Sequence, residues 1–446
     1  MKVRILLGVC ALACVASSTA HADPKMLKGP YLQDLAPHSI TVMWQLAIPD
    51  AATLTVDGPG GPRTQQVGSA QIVEARIENL AAATRYRYTV TSGGGTWKGE
   101  FATAPEVGTE VPYSFVVLGD TRYGTDPHRR VVERMAQEVP DFVLGTGDMV
   151  DQGANQEQWQ DFFDVENALM RDNVYFPALG NHDRQGRGRT ADTYRAYFSV
   201  PENGGDTERY YAYSYATSRF IILDSNEYSF ALSDQTSWLE RELVAARADR
   251  TIRHIFIVMH HPPFSVSLHG GNQDLRERWT PLFEKYAVTA VFSGHDHVYE
   301  RAEVNGLRYF VSGGGGAPVY PRRPNAAPID VAAVKKFERV HHYLRVSVTG
   351  NRIEVTAVRS DGTTIETTTW TDGPPIETAK AADVAKETAL AGGAGAGEPP
   401  SAPVAPSITP ASAKETDSGP SLVWVSVGGV GLLIAAALVV GRQMRR

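Results

Sequence analysis

Five times between Tyr113 and His297, an apolar run of strand length stops at polar residues of a narrow chemical kind. "YSFVVLGD" ends on Asp120, "DFVLGTGD" on Asp148, and "VYFPALGNHD" on Asn181, His182 and Asp183. "HIFIVMHH" ends on His260 and His261, and "AVTAVFSGHDH" on His295 and His297. Amphipathic helical patterns lie among these runs, in "DPHRRVVERMAQEV" with Pro127 near its start, "SDQTSWLERELVAAR" and "LRERWTPLFEKYA". Strands alternating with helices predict an α/β domain. In open α/β sheets the strand C-termini share one edge, and ligands bind there. Five loops then bring carboxylates, an amide and imidazoles to one place, the oxygen and nitrogen donors that suit Zn, Mn or Fe. A single Gly-Asp is a common turn. Five such endings in this order are not explained by turns.

The 446 residues are enough for two or three domains, and the net charge of −7 offers no basic footprint, so no nucleic-acid-binding surface is expected. Residues 1–22 read as a secretory signal peptide: Lys2 and Arg4 precede a short apolar run, and Ala20-His21-Ala22 supplies small residues for cleavage. Both cysteines, Cys10 and Cys14, fall inside it, which leaves the mature chain to its buried core for stability. Residues 422–441 carry no charge and are followed by "RQMRR". That layout predicts a transmembrane helix or a sorting tail, with the bulk of the chain on the outer side. Residues 373–420, rich in Ala, Gly, Pro, Ser and Thr and without aromatics, read as a disordered tether. The expected location is therefore exported, periplasmic or cell-surface, with a single-pass C-terminal anchor to the membrane.

Residues 26–105 have another texture. In "SITVMWQL" Ile40, Val42, Trp44 and Leu46 share a face, and in "RYRYTV" Tyr86, Tyr88 and Val90 do. Several short strands separated by turn residues predict a small all-β sandwich. "LAAATRYRY" resembles the Leu-to-Tyr corner of fibronectin type III domains, with Ala82 where proline is usual. Spacer, packing partner and ligand module all remain open as its role.

Across residues 110–371 the five endings resemble the metallophosphoesterases, whose pattern is D-x-H, G-D, G-N-H-D/E, H and G-H-x-H. "GHDHVYER" and the preceding β segment look most like the purple acid phosphatase branch. The resemblance implies a β-sandwich flanked by helices and two di- or trivalent metal ions, Fe, Zn or Mn. It implies that Asp148 bridges them, with Asp120 and His297 on the first metal and Asn181, His260 and His295 on the second. His261 is the runner-up for the place of His260, and Asp296 points away, since residues two apart in an extended turn share a side. The implied reaction is hydrolysis of a small phosphate monoester by attack of a metal-bound hydroxide. His182 would be the general acid, its ring fixed by Asp183.

Two positions depart from the pattern. Arg122 stands where most metallophosphoesterases have the histidine of D-x-H, and Asp151 where purple acid phosphatases have a tyrosine ligand. Both positions serve the first metal, so Arg122 and Asp151 are expected to pair, with Arg122 either reaching a substrate phosphate or held in a static salt bridge. Arg184, Arg187, Arg189 and Arg195 either serve a phosphate-rich substrate such as a nucleotide or form a solvated loop. A phosphodiesterase or nucleotidase on the same metal core, and a non-catalytic surface binding protein with a structural metal, are the rival functions. The family's purple colour is a phenolate-to-iron charge-transfer band, so without the tyrosine the purified holoprotein is expected to be colourless or faintly tinted. A strong visible absorption band would contradict the alignment of Asp151 with that tyrosine.

Overall fold

Alternation along the central strands decides the layering. In Tyr113–Leu118, Phe115 and Val117 face one side and Val116 and Leu118 the other, and all four are fully buried. A strand buried on both faces needs a second sheet below it and helices above. This computed structural model supplies both. It describes residues 25–123, 125–186, 190–204, 208–226 and 232–372; the expected signal peptide, tether and C-terminal span, and Arg187 and Arg189, lie outside these. Among the described residues no helix is long and apolar enough to cross a membrane.

Among the described residues the strands form three sheets. A six-stranded sheet runs, in spatial order, Thr364–Thr371, Arg352–Arg359, His342–Thr349, Tyr113–Leu118, Phe142–Gly145 and Val174–Pro177, the last three parallel. A seven-stranded sheet runs Val334–Glu338, Tyr299–Val304, Leu307–Ser312, Ala290–Ser293, His254–Val258, Ser218–Ile222 and Tyr211–Tyr215, with the middle four of the last six parallel. Their inner faces meet in an aromatic layer. Phe115 stacks on Phe142 at 5.2 Å and meets Phe220 and Phe256 of the other sheet edge-on at 5.4 and 5.6 Å.

On the outer side of the six-stranded sheet, Val116, Leu118 and Val143 pack under Val131, Met135 and Phe162 of the helices Thr125–Gln137 and Gln156–Met170. Asn155 caps the second of these, its side chain accepting from the amides of Glu157 and Gln158. On the far side, Ile221, Ile255 and Ile257 pack under Leu239, Leu243 and Phe283 of the helices Leu232–Ala248 and Thr280–Lys285. The expected α/β sandwich flanked by helices is therefore present. One expected helix is broken in two: "LRERWTPLFEKYA" folds as Gln273–Arg278 and Thr280–Lys285. Pro281 has no N–H to continue the ladder and is tolerated only in a first turn.

The N-terminal segment corrects the expected two-sheet sandwich. Met26–Gln33, Ile40–Asp57, Arg63–Ile77, Arg85–Ser92 and Gly95–Ala102 hydrogen-bond into one five-stranded sheet. The cause is the 18-residue strand Ile40–Asp57, which pairs with Met26–Gln33 through its first half and with Arg85–Ser92 through its second, with register shifts on either side of Asp50. One strand serves both halves, so no separate sheet forms. Tyr86 Oη accepts from the Ala81 amide at 2.9 Å, closing the corner on which the fibronectin resemblance rests.

Thr41, Met43 and Gln45 are buried too, although alternation put them outside. Their face docks on the α/β domain. Tyr31 packs 4.9 Å from Phe163 and donates to the Tyr197 carbonyl at 2.9 Å; Gln33 donates to the Tyr175 carbonyl at 3.2 Å, and Tyr88 to that of Arg171 at 2.7 Å. In the aromatic layer between the two larger sheets, Phe115 meets the rings of Phe142, Phe220, Phe256 and Phe292. Phe115→Ala is expected to cost about 3–5 kcal/mol in denaturant unfolding, the range for an aromatic core truncation.

Candidate metal centre

The parallel strands all point their C-terminal ends at one edge, and the polar residues follow there. Two of the loops are bonded to each other by their backbones: Asp120 N donates to the Gly147 carbonyl at 2.9 Å and Thr121 N to that of Asp148 at 3.1 Å. Asp183 lies beneath them, fully buried. One of its carboxylate oxygens accepts from the amides of Gly180 (2.8 Å) and Asp148 (2.9 Å), and the other from those of Met149 (2.8 Å) and Val150 (3.3 Å). The loops approach so closely that a Cβ on Gly180 would lie 2.1 Å from the Asp148 nitrogen, and one on Gly294 2.3 Å from Asp120 Oδ2. Asp120, Asp148 and His295 are held at φ of 58°, 54° and 68°. Left-handed backbone at three non-glycine residues of one site marks places where position is enforced by the surroundings.

The structure brings Asp120, Asp148, Asn181, His260, His295 and His297 together at this edge. His260 Nδ1 donates to the Thr146 carbonyl at 2.8 Å, which turns the lone pair of Nε2 outward. That lone pair faces Asn181 Oδ1 at 2.9 Å, His295 Nδ1 at 3.2 Å and Asp148 Oδ1 at 3.3 Å. Acceptors converging this closely suit a cation among them, either the proton of a charged imidazole or a metal ion. Bond lengths of about 2.0–2.1 Å give ligand-to-ligand edges of about 2.8–3.0 Å in an octahedral shell and about 3.3–3.4 Å in a tetrahedral one, so the spacing fits a transition metal ion.

The electrostatics agree with that reading. Burial opposes charge on His260, but the adjoining Asp148 carboxylate outweighs it and lifts the imidazole to about 9. A site that draws a proton so strongly draws a metal ion to the same lone pair. Burial, with His261, His260 and His269 close by, holds His295 far below the usual imidazole range, as a neutral donor. His297 Nδ1 donates to the Pro318 carbonyl at 2.9 Å, leaving Nε2 3.5 Å from Asp120 Oδ1. Two oxygens in this group, Asp120 Oδ1 and Asp148 Oδ2, are buried without a hydrogen bond.

His182 borders an open cleft of about 400 Å³ with Asn181, Arg184 and Asp151. Its backbone N donates to Asp148 Oδ1 at 2.9 Å. The expectation that Asp183 orients its ring is overturned, because Asp183 is committed to four backbone amides. The ring is held instead by the Asp151 carbonyl, which Nδ1 meets at 2.8 Å, so Nε2 is left for the cleft. Arg122 and Asp151 pair at 3.0 Å. Asp296 points away, accepting from Ser265 Oγ and from the His269 amide at 3.0 Å. Of the four arginines in the basic loop, Arg184 reaches the cleft, and Arg195 sits on the short helix Asp192–Tyr197.

Three neighbours were not singled out in the sequence. His269 lies 4.3 Å, ring to ring, from His295; Tyr320 stacks on His297 at 3.9 Å; and Ser225 holds His261 Nδ1 at 2.9 Å. Ser225 had a readable signal. "FIILDSN" is a sixth apolar run with a polar ending, on the strand beside His254–Val258. His269 and Tyr320 come from loops with no such grammar. His261 groups with His260 and His295 as a possible ligand, its ring facing that of His295 at 4.3 Å.

Comparison with known proteins agrees with this geometry. Residues 113–299 match the family described as calcineurin-like phosphoesterase. An uncharacterized protein of Mycobacterium tuberculosis is 30% identical over 279 residues, covering 52% of this chain and 51% of that protein. A purple acid phosphatase of Glycine max is 29% identical over 259 residues, covering 54% and 55%. The chain thus spans about half the length of the curated relatives it matches. The solved purple acid phosphatase from yellow lupin (Lupinus luteus) superposes with a TM-score of 0.67 at 18% identity, over 80% of this chain and 76% of that one, a likeness of fold. Residues 113–299 thus match the calcineurin-like phosphoesterase family, and over about half its length the chain is similar to purple acid phosphatases.

Proposed function

We propose that the chain is an exported, membrane-tethered phosphoesterase that hydrolyses phosphate monoesters, with His182 as the proton donor. The observation that carries this reading is the convergence of Asn181 Oδ1, His295 Nδ1 and Asp148 Oδ1 on His260 Nε2 within 3.3 Å, beside a histidine whose free nitrogen faces a cleft. His260, His295, Asn181 and Asp148 would hold a transition metal ion, which would supply Lewis acidity at the phosphoryl centre.

The chain's own residues do the rest. Asp151, by accepting from His182 Nδ1 through its carbonyl, fixes the ring so that Nε2 is the nitrogen that delivers a proton to the leaving alkoxide. The bond from His182 N to Asp148 Oδ1 ties that proton donor to the metal-holding carboxylate, so the two cannot drift apart. Arg184, on the wall of the same cleft, brings positive charge toward a leaving group, which keeps a nucleotide or diester in view as the second reading.

Export and tethering are supported by the sequence of both ends. The corner bond of Tyr86 supports a fibronectin type III-like origin for residues 26–105, and their docking through Tyr31, Gln33 and Tyr88 supports a packing role. Nitrophenyl mono- and diesters, assayed beside metal analysis, test the proposal. The wild type is expected to carry metal and to cleave the monoester faster, and Asp148→Asn to lose both metal and turnover. His182→Ala is expected to lower kcat by about 10²–10⁴-fold with metal content unchanged. Full turnover by Asp148→Asn, or metal without any hydrolysis in the wild type, would overturn it.

A further inference from the structure

The family's first metal position would draw on Asp120 Oδ1, Asp148 Oδ2 and His297 Nε2, and in this chain a side chain already stands among them. Arg122, only 10% exposed, sets Nε 3.4 Å from Asp148 Oδ2, Nη2 3.4 Å from His297 Nε2 and Nη1 3.0 Å from Asp151 Oδ1. Nη1 and Nη2 thus meet hydrogen-bond acceptors, and Nε lies against Asp148 Oδ2 as an ion pair without a hydrogen bond; Asp148 Oδ2 and His297 Nε2 are atoms a first metal would need. His297 is arranged to accept, because its Nδ1 is spent on the Pro318 carbonyl.

We propose that the Arg122 guanidinium takes the place of the first metal, so that the centre holds one metal ion, on Asp148, Asn181, His260 and His295. This rests on the metal-dependent reading above and narrows it. A guanidinium has N–H donors and no lone pair to give, and it stays charged in proteins, so at this position it cannot act as a ligand and repels a dication. A histidine there would do the opposite, offering a neutral nitrogen. The second departure fits the same logic. Asp151, where purple acid phosphatases have a tyrosine, lies against Nη1 and neutralises the guanidinium. Three carboxylates face this region, Asp120, Asp148 and Asp151, and one guanidinium with one dication balances them. Arg122 Nε and Asp148 Oδ2 face each other at 3.4 Å and neither makes a hydrogen bond, so that contact is one of charge against charge.

Metal counting decides it. Purified protein is loaded with excess Mn²⁺ or Zn²⁺, freed of loose metal by gel filtration, and analysed by plasma mass spectrometry and, for Mn²⁺, by electron paramagnetic resonance. The wild type is expected to retain about one ion per chain, with the six-line signal of an isolated Mn²⁺. Arg122→His is expected to retain about two, with the broadened signal of a coupled pair. Two ions in the wild type, or one ion in a folded Arg122→His, would overturn the inference and leave the phosphoesterase reading standing. No retained ion in the wild type would remove that reading as well. Should Arg122→His fail to fold, the wild-type count and signal decide alone.

Discussion

The functional edge is held together by one buried carboxylate whose oxygens are committed to backbone amides. Asp183 accepts four backbone amides, from Gly180, Asp148, Met149 and Val150, and so welds the loop after Phe142–Gly145 to the loop after Val174–Pro177. Asp148, Asn181 and His182 ride on those two loops. Without that bond set, the left-handed backbone at Asp148, a conformation costing on the order of 1–3 kcal/mol, would have no reason to persist. The bonds from Asp120 N to Gly147 and from His295 N to Asp120 Oδ2 at 2.9 Å extend the weld to two more loops. Donors from separate strands are held in place before any ion arrives, and this preorganisation is what makes an edge of polar turns into a binding site.

Much of this was legible in the sequence because strand burial and ligand chemistry share a grammar. A run such as "HIFIVMHH" announces a buried strand by its apolar length and a functional loop by its ending. The six expected ligand positions are therefore found together, and Arg122 and Asp151 are found paired. What was misread concerns roles that depend on direction. Asp183 follows His182 in the chain, and adjacency made it a natural partner for that ring, yet its side chain turns under the loop to the amides. His269 and Tyr320 could not be read at all, since they arrive at the site on loops whose course is set by tertiary packing. The helix break at Pro281 was readable from proline chemistry and was overrun by the amphipathic pattern on either side.

The N-terminal segment shows a similar limit. Period-two alternation identified its strands and one buried face, but it could not reveal that Thr41, Met43 and Gln45 on the opposite face would be covered. A face carrying Thr and Gln reads as solvated. Here it is closed off by docking, with Lys28 bonded to Gln45 at 2.6 Å and to Gln160 of the neighbouring helix at 3.1 Å. The same contact surface sets residues 26–105 against the helix Gln156–Met170, whose N-terminal loop carries Asp151 and Gly153. The N-terminal sheet thus packs against the helix that follows the loop bearing Asp151, whose carbonyl holds the His182 ring.

Asp148, Asn181, His260 and His295 are placed to enclose a metal ion. Anomalous diffraction from crystals of the zinc-loaded protein measures this directly. The account predicts a peak about 2.0–2.2 Å from Asn181 Oδ1, His260 Nε2, His295 Nδ1 and an oxygen of Asp148. A peak elsewhere, with those four atoms more than about 3 Å from any ion, would contradict it.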